Sequence, residues 1–309
     1  MAVTKSALRK RLGLGSRGGL AGYVFVAPSL LFLIAFVIFP IVAALYYSVS
    51  DYDLMTAPRF AGAKHYVNLL SDNRYPRSMI NTLYFAFGTV PTGVVTSLLL
   101  AILINRQIRG IYTYRALFYL PVVSSFVSVA LIWLWLYEPQ FGLFNEILEQ
   151  MGLPRLKWLR SADTSMLSLI VMSVWKNMGL NMVIYLAGLQ GIPPHLYEAA
   201  EIDGAGPISK FFRVTLPLLA PTTFFVVIVY FIGALQMFVQ VFVMTTSAFQ
   251  SGVMGGPLDS TVTVALLIYL NGFAYLKMGY AAAMSCVLFV VIAIITIINA
   301  RLLSYDIGN

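Results

Sequence analysis

Charged residues are scarce in this chain of 309 residues. Only 10% of them are Asp, Glu, Lys or Arg, whereas 60% are hydrophobic and the mean hydropathy is +0.84. An ordinary soluble domain carries about 25% charged residues. A water-soluble fold of this composition would expose too much apolar surface, so the composition indicates an integral membrane protein.

Residues that commonly form catalytic and metal sites are also scarce. Cys286 is the only cysteine and lies in the last apolar run, which excludes a disulfide framework and a cysteine metal cluster. The two histidines, His65 and His195, fall on opposite sides of the predicted membrane and cannot share a metal ion. No G-x-x-x-x-G-K-[ST] sequence occurs, so the chain has no P-loop for ATP. We therefore predict that the chain is not an enzyme and holds no metal or cofactor.

Six charge-free runs are long enough to cross a bilayer, which takes about 20 mostly apolar residues per helix. We predict an all-α integral membrane fold with a basic cytoplasmic arm over 1–19 and a transmembrane domain over 20–309. The predicted spans are about 20–49, 79–104, 116–136, 164–191, 217–246 and 278–303. The uncharged run 260–276 is short, so we place it outside as an interfacial or re-entrant segment. A seventh full span there is the main alternative.

The distribution of basic residues predicts that both termini lie in the cytoplasm. With six spans, eleven Lys and Arg residues fall in the termini and inner loops, and eight fall in the outer loops. Cytoplasmic loops usually carry the excess of basic residues. The net charge of +8 is spread over short loops, which does not favour a nucleic-acid surface.

The loop after the fourth span, 192–216, carries the most informative pattern. Pro194 can start a short helix, because a proline in the first turn loses no hydrogen bond. Glu198 and Glu201 are then predicted to lie early in that helix, where carboxylates favour the helix dipole. Gly204 predicts a turn before a second helix. A simple connecting loop shaped by these constraints is the alternative interpretation.

This loop resembles the signature loop of ABC importer permeases. The signature reads Glu-Ala-Ala, three residues, Gly, nine residues, Ile, one residue and Leu-Pro. The matching residues here are Glu198, Ala199, Ala200, Gly204, Leu216 and Pro217, and Val214 replaces the isoleucine. Other segments look like the maltose-type sugar permeases, namely Tyr23–Pro40, Tyr46–Asp53, Arg115–Pro121, Trp175–Gly191 and Gly279–Ala283. The chain is most similar to the first of the two paired permeases, without the large periplasmic domain of the maltose system.

The resemblance implies an ABC type I importer permease fold in the bacterial plasma (inner) membrane. It implies import of a sugar, an oligosaccharide or a glycerol-3-phosphate-like polyol. The implied partners are a second permease, two cytoplasmic ATPase subunits that bind ATP and Mg²⁺, and an extracytoplasmic solute-binding protein. The loop 192–216 would couple the chain to one ATPase through Glu198, Ala199, Ala200, Asp203, Gly204 and Pro217.

Polar residues within the predicted spans are candidates for the solute path, because polar groups at membrane depth usually face a cavity or a partner helix. The candidates are Trp175, Asn177, Asn181, Tyr185, Gln236 and Gln240. Asn177 and Asn181 are one helical turn apart, as are Gln236 and Gln240, so each pair is predicted to share a face. Amides combined with aromatic rings suit hydroxyl-rich solutes. Bridging between helices is the alternative role of the amides.

Lys176 is the only charged residue well inside a predicted span. It could favour an anionic solute, pair with a carbonyl group or extend toward an interface, and the sequence leaves these open. A stand-alone secondary transporter or channel is the competing class of function. That class would need internal repeats or coupling-ion carboxylates in its spans, and neither is evident.

Overall fold

The computed structural model describes residues 17–106, 109–248 and 254–304, which are mostly helical. The predicted arm 1–19 lies largely outside the described residues, and its last three residues already belong to the first helix. Within the described ranges the strand pairing is confined to one two-stranded hairpin, β1 (Ser50–Asp51) with β2 (Arg59–Phe60).

The helices follow one another along the chain with short connections. The first seven are α1 (Arg17–Leu33), α2 (Phe39–Ser48), α3 (Lys64–Ser71), α4 (Arg74–Ile104), α5 (Ile111–Val123), α6 (Phe126–Leu136) and α7 (Leu143–Gln150). The others are α8 (Ala162–Gln190), α9 (Pro194–Ile202), α10 (Pro207–Lys210), α11 (Leu216–Leu218), α12 (Ala220–Leu235), α13 (Val239–Ala248), α14 (Val264–Tyr269) and α15 (Met278–Ser304). Turns of π-helix cover Ile34–Ile38, Phe211–Thr215 and Leu270–Ala274, and 3-10 turns cover Trp158–Arg160 and Pro257–Asp259.

Four helical stretches of the described chain are long and apolar enough to cross a membrane by themselves. They are Phe25–Ser48, Arg74–Ile104, Ala162–Gln190 and Met278–Arg301. Two bent helix pairs raise the number of spans to six when each pair counts as one. The predicted all-α membrane architecture is thereby confirmed.

The third predicted span, 116–136, is not one straight helix. It consists of α5 and α6, which meet at an angle of 98°. The side-chain ammonium of Lys176 donates hydrogen bonds to the carbonyl oxygens of Pro121, Val122 and Ser124 where α5 ends. Because these carbonyls are satisfied by a side chain, the backbone can leave the helix inside the bundle.

The fifth predicted span, 217–246, is interrupted at two places. The segment Pro207–Leu218 is bent by 65° relative to α12, and α12 ends at Leu235 before α13 begins. Gln236 and Gln240 therefore do not lie on one helix, and the prediction that they share a face is wrong. At this break the Thr263 hydroxyl donates to the carbonyl oxygen of Met237 over 3.0 Å, which satisfies a backbone group that a continuous helix would have paired.

The short apolar run 260–276 is buried in the bundle over its first part, whereas Phe273 and Tyr275 near its end are exposed. Its helical part, Val264–Ala274, is shorter than the roughly 20 residues that a span requires. Val264, Leu266 and Leu267 are almost fully buried. The segment begins where the Val264 amide donates to the Thr82 hydroxyl of α4 over 3.1 Å.

The first turn of the last helix approaches the β-hairpin very closely. The Gly279 amide donates to the carbonyl oxygen of Tyr52 over 3.1 Å. A β-carbon built on Gly279 would lie 2.1 Å from the carbonyl oxygen of Ser50 and 2.9 Å from Nε2 of His65. A residue without a side chain is therefore required where α15 meets the hairpin.

Gly279→Ala should destabilise the folded protein, because the added methyl group can be accommodated only by moving backbone. Overpacking of this kind typically costs about 1–3 kcal/mol. Thermal unfolding in detergent measures the effect. Gly233→Ala is the matched control, since a β-carbon there meets no atom within 4 Å. An equal unfolding midpoint for Gly279→Ala and wild type would contradict the close approach of α15 and the hairpin.

Candidate functional site

A polar cavity lies between α4, α8 and α12, and its volume is about 230 Å³. Its polar lining residues are Thr89, Ser173, Asn177, Asn181, Tyr230 and Gln240. Ser173, Asn177 and Asn181 recur every four residues along α8, so they share one helix face. Asn177 lies near the midpoint of α8 (Ala162–Gln190), which places the cavity near mid-membrane depth.

Several polar atoms in this cavity have no hydrogen-bond partner among the described residues. They are Oγ1 of Thr89, Oγ of Ser173, Nδ2 of Asn181 and the hydroxyl oxygen of Tyr230. Buried polar groups are nearly always hydrogen-bonded, since an unpaired one costs about 1–3 kcal/mol. Four such atoms around one cavity indicate that it holds water or a polar solute.

The rest of the cavity wall consists of apolar surface. Phe85, Phe126, Leu180 and Val229 contribute to it, and none of the described lining residues is charged. Gly93 of α4 makes room for the Tyr230 ring, because a β-carbon there would lie 2.2 Å from a ring carbon. Hydrogen-bonding groups beside ring faces match solutes that carry both hydroxyl groups and apolar faces.

Three of the six predicted path residues do line the cavity, namely Asn177, Asn181 and Gln240. The Nδ2 of Asn177 donates to the carbonyl oxygen of Ser173 over 2.8 Å within its own helix. The side-chain oxygen of Asn177 can then accept a hydrogen bond from the neighbouring Tyr230 hydroxyl or from a ligand.

The other three candidates lie elsewhere. Trp175 is on another face of α8, where its ring centroid is 5.5 Å from that of Trp133. Gln236 is exposed at the break after α12. Tyr185 is fully buried in an apolar cluster at the end of the bundle near α9. Their positions along the spans did not distinguish these residues from the cavity residues. Whether a side chain faces the cavity depends on which face of its helix is covered by a neighbouring helix.

Sequence reasoning missed three polar residues of the cavity. Ser173 is four residues before Asn177, so extending the Asn177–Asn181 stripe by one turn would have found it. Tyr230 is the only polar side chain between residues 224 and 235, which is a weaker signal. Thr89 is brought in from α4 by tertiary packing, and nothing in its local sequence marks it.

Lys176 is buried but does not line the cavity. Its Nζ donates to the carbonyl oxygens of Pro121, Val122 and Ser124 over 2.5, 3.0 and 2.9 Å. It also lies 5.0 Å from the ring centroid of Phe126. Of the three roles left open by the sequence, pairing with carbonyl groups is the one that the structure shows.

The loop 192–216 forms two short helices joined by a tight turn. The Gly204 amide donates to the carbonyl oxygen of Glu201 over 3.0 Å, and the Ala205 amide donates to that of Ala200 over 2.8 Å. Gly204 has φ +78°, a left-handed conformation that glycine adopts without strain. This is a Schellman motif, in which a glycine just after the helix satisfies its last carbonyls. The spacing of Ala200 and Gly204 in the signature therefore matches the geometry of a helix end.

The two glutamates of α9 do not lie at its beginning. The first turn contains no acidic residue, because the helix starts at Pro194 and Glu198 is its fifth residue. Glu201 falls in the last turn, where it forms an ion pair with Lys210 across the turn. The prediction that both carboxylates favour the helix dipole at the start of α9 is wrong. Glu198 is exposed and forms no ion pair within the described ranges.

The loop is packed firmly onto the ends of the spans. Leu196, Tyr197 and Phe211 contact an apolar cluster formed by residues of α4, α8 and the bend before α12. The Tyr197 and Thr215 hydroxyl oxygens are 3.1 Å apart. The loop therefore contacts α8, the helix that carries three polar residues of the cavity.

These features, a polar cavity within an apolar helix bundle and a rigid exposed helical turn at one end, are typical of a transport protein. The family of binding-protein-dependent transport system inner membrane components matches residues 66–304, which include both the cavity and the loop. The chain belongs to this family. It is thus a membrane permease of an ABC importer and not an enzyme.

Among individual proteins, the chain is 34% identical over 292 residues to the probable ABC transporter permease protein YesP of Bacillus subtilis (strain 168). This match covers 94% of the chain and 92% of YesP. It is 35% identical over 282 residues to the sn-glycerol-3-phosphate transport system permease protein UgpA of Pectobacterium atrosepticum, covering 90% and 92%. The fold matches a chain in the crystal structure of a bacterial ABC transporter involved in the import of the acidic polysaccharide alginate. There the TM-score is 0.79 at 23% identity, covering 96% of this chain and 99% of that one.

Gly204→Ala should weaken the end of α9, whereas Gly206→Ala should not. Neither added β-carbon meets an atom within 4 Å, but Gly204 has φ +78° and Gly206 has φ −70°. A left-handed conformation costs a residue with a side chain about 1–2 kcal/mol. Hydrogen exchange of a peptide that includes the Ala205 amide should speed up roughly 5–30-fold in Gly204→Ala only. Equal exchange in the two variants would contradict the Schellman motif.

Proposed function

We propose that this chain lines half of the path by which an ABC importer takes up a carbohydrate or sugar-like solute. The class includes sugars, oligosaccharides and glycerol-3-phosphate-like polyols. The observation that carries the proposal is the mid-membrane cavity with four unpaired polar atoms beside aromatic rings. UgpA and the alginate transporter, whose names include a polyol phosphate and a polysaccharide, support the same class of solute.

The cavity wall contributed by this chain recognises hydroxyl groups rather than charge. Its described polar residues are amides and hydroxyls, which both donate and accept hydrogen bonds. The Lys176 ammonium near the cavity is already bound to three carbonyl oxygens. An anionic group on the solute would therefore have to be bound by the second permease subunit.

The energy for uptake comes from two cytoplasmic ATPase subunits, which bind ATP and Mg²⁺, and the loop 192–216 docks on one of them. Support comes from the exposed surface at the turn, where Ile202 and Ile208 are 87% and 75% exposed. Exposed apolar side chains rimmed by polar residues commonly mark protein interfaces. Glu198 is available for a charge-assisted contact with a basic residue of the ATPase.

An ATPase subunit that docks on the loop lies in the cytoplasm, so the loop lies there too. With six spans, both termini are on the same side of the membrane as this loop. The β-hairpin lies at the other end of the bundle, because α8 and α15 run in the same direction between the two faces. The hairpin contacts the beginning of α15, whereas the loop follows the end of α8. That outer face is where a solute-binding protein delivers its ligand. A solved alginate ABC transporter in complex with an alginate pentasaccharide-bound periplasmic protein, with a TM-score of 0.78, supports such a partner.

Asn177→Leu should impair uptake, whereas Gln236→Leu should not, although both changes replace an amide with a similar apolar side chain. Asn177 faces the cavity and Gln236 is exposed outside it. Loss of one buried polar contact typically costs about 1–3 kcal/mol, so KM should rise roughly 5–150-fold while basal ATP hydrolysis persists. The assay is ATP-dependent uptake into proteoliposomes of the sugar retained by the purified solute-binding protein. Equal KM values for the two variants would remove Asn177 from the solute path.

A further inference from the structure

At the sharp bend between α5 and α6, a side chain from a distant helix binds backbone carbonyl groups. The last carbonyls of any helix lack intrahelical partners. Inside a membrane bundle no bulk water replaces those partners. At the end of α5 the Lys176 ammonium of α8 donates to three of these carbonyls, those of Pro121, Val122 and Ser124. A positive charge at a helix C-terminus also interacts favourably with the helix dipole.

α5 and α8 are held together at a second point one turn further along α8. A β-carbon built on Gly179 would lie 2.1 Å from the carbonyl oxygen of Phe118. The absence of a side chain at Gly179 therefore lets α5 approach closely enough for the Lys176 side chain to reach the end of that helix. The two residues are three apart, so they share a face of α8.

The same ammonium also contacts the first residue of α6. It lies 5.0 Å from the ring centroid of Phe126, a distance typical of a cation–π contact. Phe126 is the first residue of α6, and its ring forms part of the cavity wall together with Ser173 and Asn177. Lys176 thus contacts both sides of the bend. It also contacts Phe126, which lines the cavity, but Lys176 does not line the cavity itself.

We propose that Lys176 is a positioning residue. It clamps the 98° bend of the third span and thereby sets the Phe126 wall of the solute cavity. Its ammonium group binds backbone carbonyl groups at the end of α5 and is therefore not available to bind a solute. Only the consequence for solute affinity rests on the proposed function. The geometry of the bend can be tested without any solute.

The test measures the angle between α5 and α6 by spin-label distances. Labels are placed on cysteines at Tyr114 and Trp135, which are 51% and 56% exposed on the two helices, in a Cys286→Ser background. Lys176→Met should broaden the distance distribution, because three carbonyls lose their donor. Lys176→Arg should keep it narrow, since a guanidinium can donate to the same oxygens. Lys157→Met, which removes an exposed lysine outside the bundle, is the matched control.

A narrow, wild-type distribution in Lys176→Met would overturn the proposal and would return Lys176 to a direct role such as binding an anionic solute. If Lys176→Met does not fold, Lys176→Gln supplies the same measurement, because its amide replaces only part of the donor set. Broadening there supports the clamp, and a wild-type distribution contradicts it.

Measuring the KM of uptake tests separately whether Lys176 holds the bend and whether the cavity is the solute path. With the sugar retained by the solute-binding protein as the probe, Lys176→Met should raise KM about tenfold and leave basal ATP hydrolysis unchanged, and Lys176→Arg should restore the wild-type KM. Broadened distances with an unchanged KM would support the clamp and contradict the assignment of the cavity as the solute path.

Discussion

The structure depends on one constraint, which is that backbone polar groups within a bilayer must find partners inside the protein. Straight helices satisfy it by themselves, but this chain leaves the helical path at three places within its spans. Two of these breaks are matched by a donor from elsewhere in the sequence. The Lys176 ammonium donates hydrogen bonds to carbonyl groups at the end of α5, and the Thr263 hydroxyl donates one to the carbonyl of Met237 after α12. The chain changes direction at these breaks, and aromatic and amide side chains thereby reach the cavity. In a continuous helix the same side chains would face elsewhere.

The helix α8 connects the features that a transport cycle has to couple. Its middle turns carry Ser173, Asn177 and Asn181 into the cavity, and its last turns join the apolar cluster beneath the loop 192–216. Since the loop packs on that same cluster, one helix contacts both the loop and the cavity. Coupling by rigid bodies of this kind needs no flexible linker.

Much of this organisation could be predicted from the sequence, and the errors have a common physical origin. Composition and charge-free runs predict the helical membrane fold, and the signature spacing predicts the turn at Gly204. The breaks in the third and fifth spans were missed because their partners are distant in sequence. Lys176 is 55 residues from Pro121, for example. The same limit explains why Gln236 was predicted to lie beside Gln240, whereas the chain breaks between them, and why Thr89 was not found at all.

The most direct test of the central claim is the amount of ATPase subunit that purifies with the membrane complex when the exposed charge on α9 is reversed. The claim, that the loop 192–216 is where ATP hydrolysis is coupled to the cavity, predicts that Glu198→Lys greatly lowers ATPase recovery and solute-stimulated ATP hydrolysis. The protein itself should remain in the membrane, because Glu198 makes no ion pair within the described chain. Glu146→Lys, on α7 away from the loop 192–216, should retain full recovery. Wild-type recovery and stimulation in Glu198→Lys would contradict the claim.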